Sequence, residues 1–208
     1  MAVSSRKHLT LLRSFRLPDL LTFANAGCGM LAIFFCLNYL ASGQRDPIGM
    51  VFLLLPLALV FDVLDGVVAR WQKQSSVLGA DLDSLADSLS FGVAPAVIGY
   101  TLGLRGGWDM VALTYFVACG LSRLARYNVT AATLADVKGK IRYYEGLPIP
   151  ANVIIVLILG LALTLNQTGV HMWFGAYSIG PAIFHPLSLL FVISGCLMVS
   201  KSIRIPKP

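Results

Sequence analysis

Hydrophobic positions run along this chain in long stretches, separated by short polar ones. A helix rising about 1.5 Å per residue needs roughly 20 mostly apolar residues to cross the hydrocarbon of a bilayer. Six stretches meet that length: residues 17–40, 48–68, 85–104, 108–126, 147–165 and 179–200. The pattern predicts an all-α integral membrane protein with six transmembrane helices. Ahead of them, SSRKHLTLLRSFR (4–16) sets Leu9, Leu12 and Phe15 at helical spacing among basic residues. This predicts a short amphipathic helix lying on the membrane surface. The expected organisation is a juxtamembrane segment, 1–16, and one membrane domain, 17–208. No cleavable signal peptide is expected, because no apolar core with a small-residue cleavage site follows the basic start at the right distance.

Composition supports this. The 208 residues are 57% hydrophobic and 12% charged, about half the charged fraction of a soluble domain. A net charge of +6 would admit a nucleic-acid partner, but the placement of the charge argues against one. With six spans, fourteen of the 16 Lys and Arg fall on one side, and only Arg45 and Arg105 on the other. That asymmetry follows the positive-inside rule and puts both termini in the cytosol. In a eukaryotic cell the expected home is the endoplasmic reticulum membrane. A basic inner surface also suits anionic lipid head groups. Cys28, Cys36, Cys119 and Cys196 all lie in predicted spans and none is spaced as CxxC. They read as small apolar packing residues, with no disulfide framework.

One stretch departs from the oily pattern: FDVLDGVVARWQKQSSVLGADLDSLADSLSFG, residues 61–92. It holds Asp62, Asp65, Asp81, Asp83 and Asp87, five of the ten acidic residues. Asp62, Asp65, Gly66 and Ala69 share one helical face, and Asp83 and Asp87 are an i,i+4 pair. QKQSS makes the two helices neighbours, with Ser75 or Ser76 as a cap for the second. Four carboxylates are therefore expected to converge near the inner membrane surface. Each uncompensated charge costs about 2.5–3.5 kcal/mol at a helix centre, and less near the interface.

Two divalent cations would cancel that charge. A metal pair can also stabilise the attacking and leaving oxygens of a phosphoryl displacement. Hard oxygen ligands favour Mg2+ or Mn2+ over zinc. The bland alternative, aspartates lining a hydrated loop, suits one or two acids better than four at facing spacings. Gly66 and Gly79 leave room for a flat ligand or a close backbone, and Ala69 keeps the same groove shallow. Arg70 can pair with a phosphate or anchor the inner end of its helix.

Asp62, Asp65, Gly66, Ala69, Arg70, Gly79, Asp83 and Asp87 together match D-x2-D-G-x2-A-R-x8-G-x3-D-x3-D. This pattern resembles the signature of the CDP-alcohol phosphotransferase family. LDSLADSLSFGVAPA, CGLSRLARYNVT, YYEGLPIPAN and FHPLSLLFVISGCLMVSKSIRIPKP are similar to the serine-accepting, fungal-like branch of that family, from about Phe15 onward. Tyr127 stands where that branch is expected to carry Phe.

The resemblance implies a six-helix membrane fold, usually a homodimer in the bilayer. It implies that Asp62, Asp65, Asp83 and Asp87 hold two metals, Mg2+ or Mn2+, bridged to the CDP diphosphate. Gly66, Ala69 and Gly79 would make room for the cytidine, Arg70 would help hold the nucleotide, and Asp87 would be the general base. The implied reaction transfers the phosphatidyl group of CDP-diacylglycerol to L-serine, releasing CMP. For serine, Arg126, Tyr127, Asn128 and Glu145 are the candidate contacts, with Arg126 for the carboxylate and Glu145 for the ammonium. Arg123, Lys138, Lys140 and Arg142 read first as topology and lipid contacts.

Three rivals remain at this level. Another acceptor, such as inositol, glycerol 3-phosphate or choline, would use the same chemistry. A membrane prenyltransferase would separate its aspartate motifs further than Asp65 and Asp83. A divalent-cation transporter would place carboxylates nearer the midplane, with a path to both sides.

Overall fold

The computed structural model describes residues 17–44, 46–72, 77–135, 143–200 and 204–206. It is mainly helical. Helices α1 (Leu17–Ser42) and α2 (Asp46–Trp71) have 26 residues each, about 39 Å of helix. They pack along one another. The third helical stretch is α3 (Val77–Asp87), a π-helical turn (Ser88–Val93) and α4 (Ala94–Leu102) without a break. Helix α5 runs Gly107–Ala135, α6 Val153–Thr164 and α7 Leu189–Val199. Three helical stretches, Leu17–Ser42, Ile48–Trp71 and Leu78–Leu102, are long and apolar enough to cross a bilayer, and Ile149–Thr164 and Pro186–Val199 are shorter apolar helices. Leu53, Leu85 and Ile154 leave large apolar side chains on the outer surface, as lipid-facing positions require.

The π turn has a local cause. Pro95 has no N–H to return to the carbonyl four residues earlier, and Ala94 N–H reaches back five residues to Leu89 O. The Phe91 carbonyl accepts instead from Asn152 Nδ2 at 3.1 Å, and Asn152 Oδ1 accepts from Ser194 Oγ at 2.6 Å. One buried amide thereby ties the third helical stretch to α7. Ser90 Oγ donates to Asn25 O at 2.9 Å, which joins the same turn to α1.

That joint depends on Gly29. A Cβ there would lie 2.5 Å from Ser90 Oγ and 2.9 Å from Ser90 Cα, so backbone must move to admit it. Gly29→Ala is expected to cost about 1–3 kcal/mol. At about 2–4 °C per kcal/mol for a chain of this size, thermal unfolding in detergent should shift down measurably. An unchanged midpoint would show that the contact can relax.

The fold departs from the all-α expectation in two places. The stretch 179–200 is not one helix: β2 (Tyr177–Ile179) and β3 (Ala182–Phe184) form a hairpin, and α7 follows only after a 3-10 turn at Pro186–Ser188. The apolar count predicts a span, but Gly180 takes φ +63° and Pro181 follows it in the turn, which together break the helix. Trp108 Nε1 donates to Ile179 O at 2.9 Å. Asp109, fully buried, accepts the His185 N–H at 2.8 Å and meets His185 Nδ1 at 2.5 Å. The hairpin is thus pinned to the start of α5.

The second departure is β1 (Tyr143–Glu145), which pairs antiparallel with β4 (Arg204–Pro206). The stretch 147–165 then begins as a 3-10 turn, Ile149–Asn152, where Pro148 and Pro150 deny helical hydrogen bonds. The amphipathic segment 4–16, Ser75, Ser76, Lys138, Lys140 and Arg142 lie outside the described residues.

Candidate active site

Helical periodicity places Asp62 and Asp65 on the inward-turned side of α2, and neighbouring α3 presents Asp83 and Asp87. Asp62, Asp83 and Asp87 each offer an oxygen within 4.8 Å of the other two. Two unit charges 4 Å apart repel by about 4 kcal/mol even at an effective dielectric constant of 20. Such a group is relieved by a shared proton or by a bound cation. Asp65 lies outside this trio, and its Oδ2 accepts from Thr22 Oγ1 at 2.9 Å. Asp81, the fifth aspartate of the stretch, accepts instead from Asn128 Nδ2 at 3.4 Å.

Helix α1 contributes two groups that spacing in the acidic stretch does not reveal. Asn25 is fully buried and donates from Nδ2 to Asp87 Oδ1 at 3.3 Å. Thr22 also donates to Pro18 O at 3.1 Å. The available signal was a polar pair three residues apart within a largely apolar span. Asn25 Oδ1 and Asp83 Oδ1 are buried without a hydrogen-bond partner among the described residues. Orphan oxygens beside clustered carboxylates fit a hard divalent cation, which takes oxygen ligands and neutralises charge. Asp62, Asp83 and Asp87, with Asp65 adjacent, are the residues that would hold it.

The groove on α2 continues past the carboxylates. Among the described residues, only Arg70 Nη1, at 3.8 Å, lies within 4 Å of a Cβ built on Gly66. Space is therefore open at Gly66, and the Arg70 guanidinium borders it. Ala69 lies on the same helix and Gly79 on α3, both partly exposed.

Beside the trio lies a cavity of about 320 Å³, whose lining includes Asp83, Ser84, Asp87, Arg123, Tyr127 and Asn128, with Pro148 and Pro150 as a further wall. Among the described residues, none of α2 lines it. Ser84 Oγ donates to Asn128 Oδ1 at 3.1 Å, and the Arg123 guanidinium carbon lies 6.0 Å from the Tyr127 ring centre. Tyr127 and Asn128 thus line the cavity together. Arg126 does not line this cavity: its Nη2 donates to Val199 O at 3.2 Å. The cation in the wall is Arg123, read from the sequence as a topology contact. Glu145 belongs to β1, in the segment that leads to Pro148.

Membrane-length helices, gathered carboxylates and an adjoining cavity are the parts of a membrane-embedded transferase. The chain belongs to the CDP-alcohol phosphatidyltransferase family, whose sequence model matches residues 15–184. It is similar to the CDP-diacylglycerol--serine O-phosphatidyltransferase of Saccharomyces cerevisiae, 40% identical over 210 residues covering 99% of this chain and 75% of the relative. The protein of the same name from Methanocaldococcus jannaschii is 35% identical over 191 residues, covering 92% of this chain and 74% of the relative. The archaetidylserine synthase of Methanothermobacter thermautotrophicus is 34% identical over 143 residues, covering 67% of this chain and 55% of the relative.

Proposed function

We propose that the protein transfers the phosphatidyl group of CDP-diacylglycerol to L-serine, giving phosphatidylserine and CMP. The observation that carries this reading is that Asp83 and Asp87 belong both to the carboxylate trio and to the wall of a cavity containing Arg123, Tyr127 and Asn128. The activities named for the similar proteins support it. Gly66, Ala69 and Arg70 of α2, with Gly79 of α3, take the nucleotide end. The cavity on the other side of Asp83 and Asp87 takes the acceptor, so the two substrates meet at the carboxylates.

In this mechanism serine's hydroxyl oxygen attacks the phosphorus that bears diacylglycerol. The bond from that phosphorus to the CMP phosphate oxygen breaks, and CMP leaves. Asp87, held by Asn25, accepts the hydroxyl proton as general base. Arg70 pairs with phosphate oxygens. Two divalent ions held by Asp62, Asp65, Asp83 and Asp87, Mg2+ or Mn2+, would supply positive charge against the diphosphate. Arg123 forks onto the serine carboxylate, Tyr127 and Asn128 shape the cavity, and Glu145 takes the ammonium. The protein works as a six-span homodimer in the bilayer, its aspartates on the cytosolic face.

Purified protein should accept L-serine but not inositol or glycerol 3-phosphate. Arg123→Lys should raise KM for serine about tenfold or more, because a point charge cannot reproduce the guanidinium fork, and leave KM for CDP-diacylglycerol unchanged. In sealed vesicles with the cytosolic face outward, added serine should be used without permeabilisation. Use of inositol in place of serine would overturn the acceptor assignment, and latent activity would overturn the orientation.

A further inference from the structure

The proline wall of the cavity belongs to a segment, 143–152, which has only the 3-10 turn at Ile149–Asn152 and no α-helical ladder to hold it. Four of its attachments converge on one place. Leu147 N–H donates to Leu197 O at 3.1 Å. Gly146, at φ +76°, sits so close to the Met198 carbonyl that a Cβ would overlap it. Asn152 takes its hydrogen bond from Ser194. Tyr143, Tyr144 and Glu145 pair with Pro206, Ile205 and Arg204. The end of α7 is itself held to α5 by Arg126, through Val199 O. Each of these partners is α7 or the strand after it; a further hydrogen bond, Asn152 Nδ2 to Phe91 O, holds the far end of the segment to the π turn. The nucleotide groove has no such dependence, because Gly66, Ala69 and Arg70 lie within the continuous helix α2.

We propose that β4 is a strap: by pairing with β1 it holds segment 143–150 against the acceptor cavity, so that acceptor affinity depends on it, and Arg126 is a positioning residue that anchors the strap's base. This rests on the cavity being the acceptor side. A strand edge three residues long contributes only a few hydrogen bonds, each worth a modest net stabilisation. Loosening it should therefore shift affinity without unfolding the helices.

The test is Ile205→Pro, which removes a backbone donor from the strap, measured in the full-length protein. KM for serine should rise about tenfold, with kcat and KM for CDP-diacylglycerol within about twofold. Backbone hydrogen exchange at residues 144–147 should quicken, a readout independent of catalysis. Arg126→Ala should reproduce the serine effect while Arg126→Lys should largely rescue it, because one N–H to a carbonyl is within reach of an ammonium. A fork on a carboxylate would give no such rescue.

A second variant guards against misfolding of the first. Tyr144→Cys with Ile205→Cys should cross-link, since paired antiparallel positions fall in the disulfide range of Cα separations. The oxidised form should keep the parent KM for serine. Unchanged exchange and unchanged KM in Ile205→Pro, or failure of the cysteines to cross-link, would overturn the strap. Quickened exchange with KM rising for CDP-diacylglycerol instead of serine would overturn the acceptor reading beneath it.

Discussion

Asp87→Asn is expected to lower turnover by at least about 100-fold, with Asp62→Asn and Asp83→Asn close behind. Their oxygens gather within 4.8 Å, so each change removes a negative charge, and in the proposed mechanism a metal ligand, from one small volume. For Asp87 the amide also cannot accept the acceptor's proton, and general-base catalysis is worth about 10²–10⁴-fold. Asp87 further lines the cavity and is held by Asn25 at 3.3 Å, so its loss affects both substrates' meeting point. The measurement is initial rate in folded, detergent-purified protein with saturating CDP-diacylglycerol, serine and metal. Asp65→Asn should also reach about 100-fold, but through a different geometry. Its carboxylate is bonded to Thr22, so Thr22→Val should cause part of the same loss. Near-parent activity in any aspartate variant would remove that residue from the site.

Exhaustive chelation is expected to abolish turnover, and Mg2+ or Mn2+ to restore it. The group offers oxygen donors only, and the Asp83 Oδ1 atom is buried without a partner among the described residues. Such sites suit hard divalent ions. Ca2+ should restore little, because its larger, looser coordination fits a compact carboxylate group poorly. Full activity after chelation would end the metal-dependent reading. The same preparation separates the transporter alternative. Metal flux through liposomes lacking CDP-diacylglycerol would favour a transporter, whereas metal-dependent CMP release without flux supports the transferase.

Much of this site was legible along the chain because it is built from local spacing. Asp62 with Asp65, and Asp83 with Asp87, fall on single helical faces for any α-helix of 3.6 residues per turn. A five-residue connection leaves the two helices little choice but to be neighbours. The positions of the first, second and fourth apolar stretches follow equally from length and hydropathy, whereas the third, expected at 85–104, is extended back to Val77 by the polar helix α3. The stretch 179–200 misled because hydropathy counts apolar side chains and is blind to backbone. Gly180 and Pro181 turn it into a hairpin, and Trp108 and Asp109 hold that hairpin from another helix.

The choice between Arg123 and Arg126 shows the limit most sharply. Three residues apart, they differ by only about 60° around a helix, so spacing alone cannot say which faces the carboxylates. Packing of α5 against α3 and α7 decides it: Arg123 reaches the cavity and Arg126 the Val199 carbonyl. Thr22, Asn25 and Asn152 were likewise undecided, because their partners lie 43, 62, 61 and 42 residues away along the chain. The sequence by itself determined the membrane-crossing helices and the acidic faces, since both arise from periodicity within one element. Only the tertiary structure decided which polar groups from α1 and α5 close around those faces. Contacts between elements depend on how whole helices rotate against one another, and no local spacing encodes that rotation.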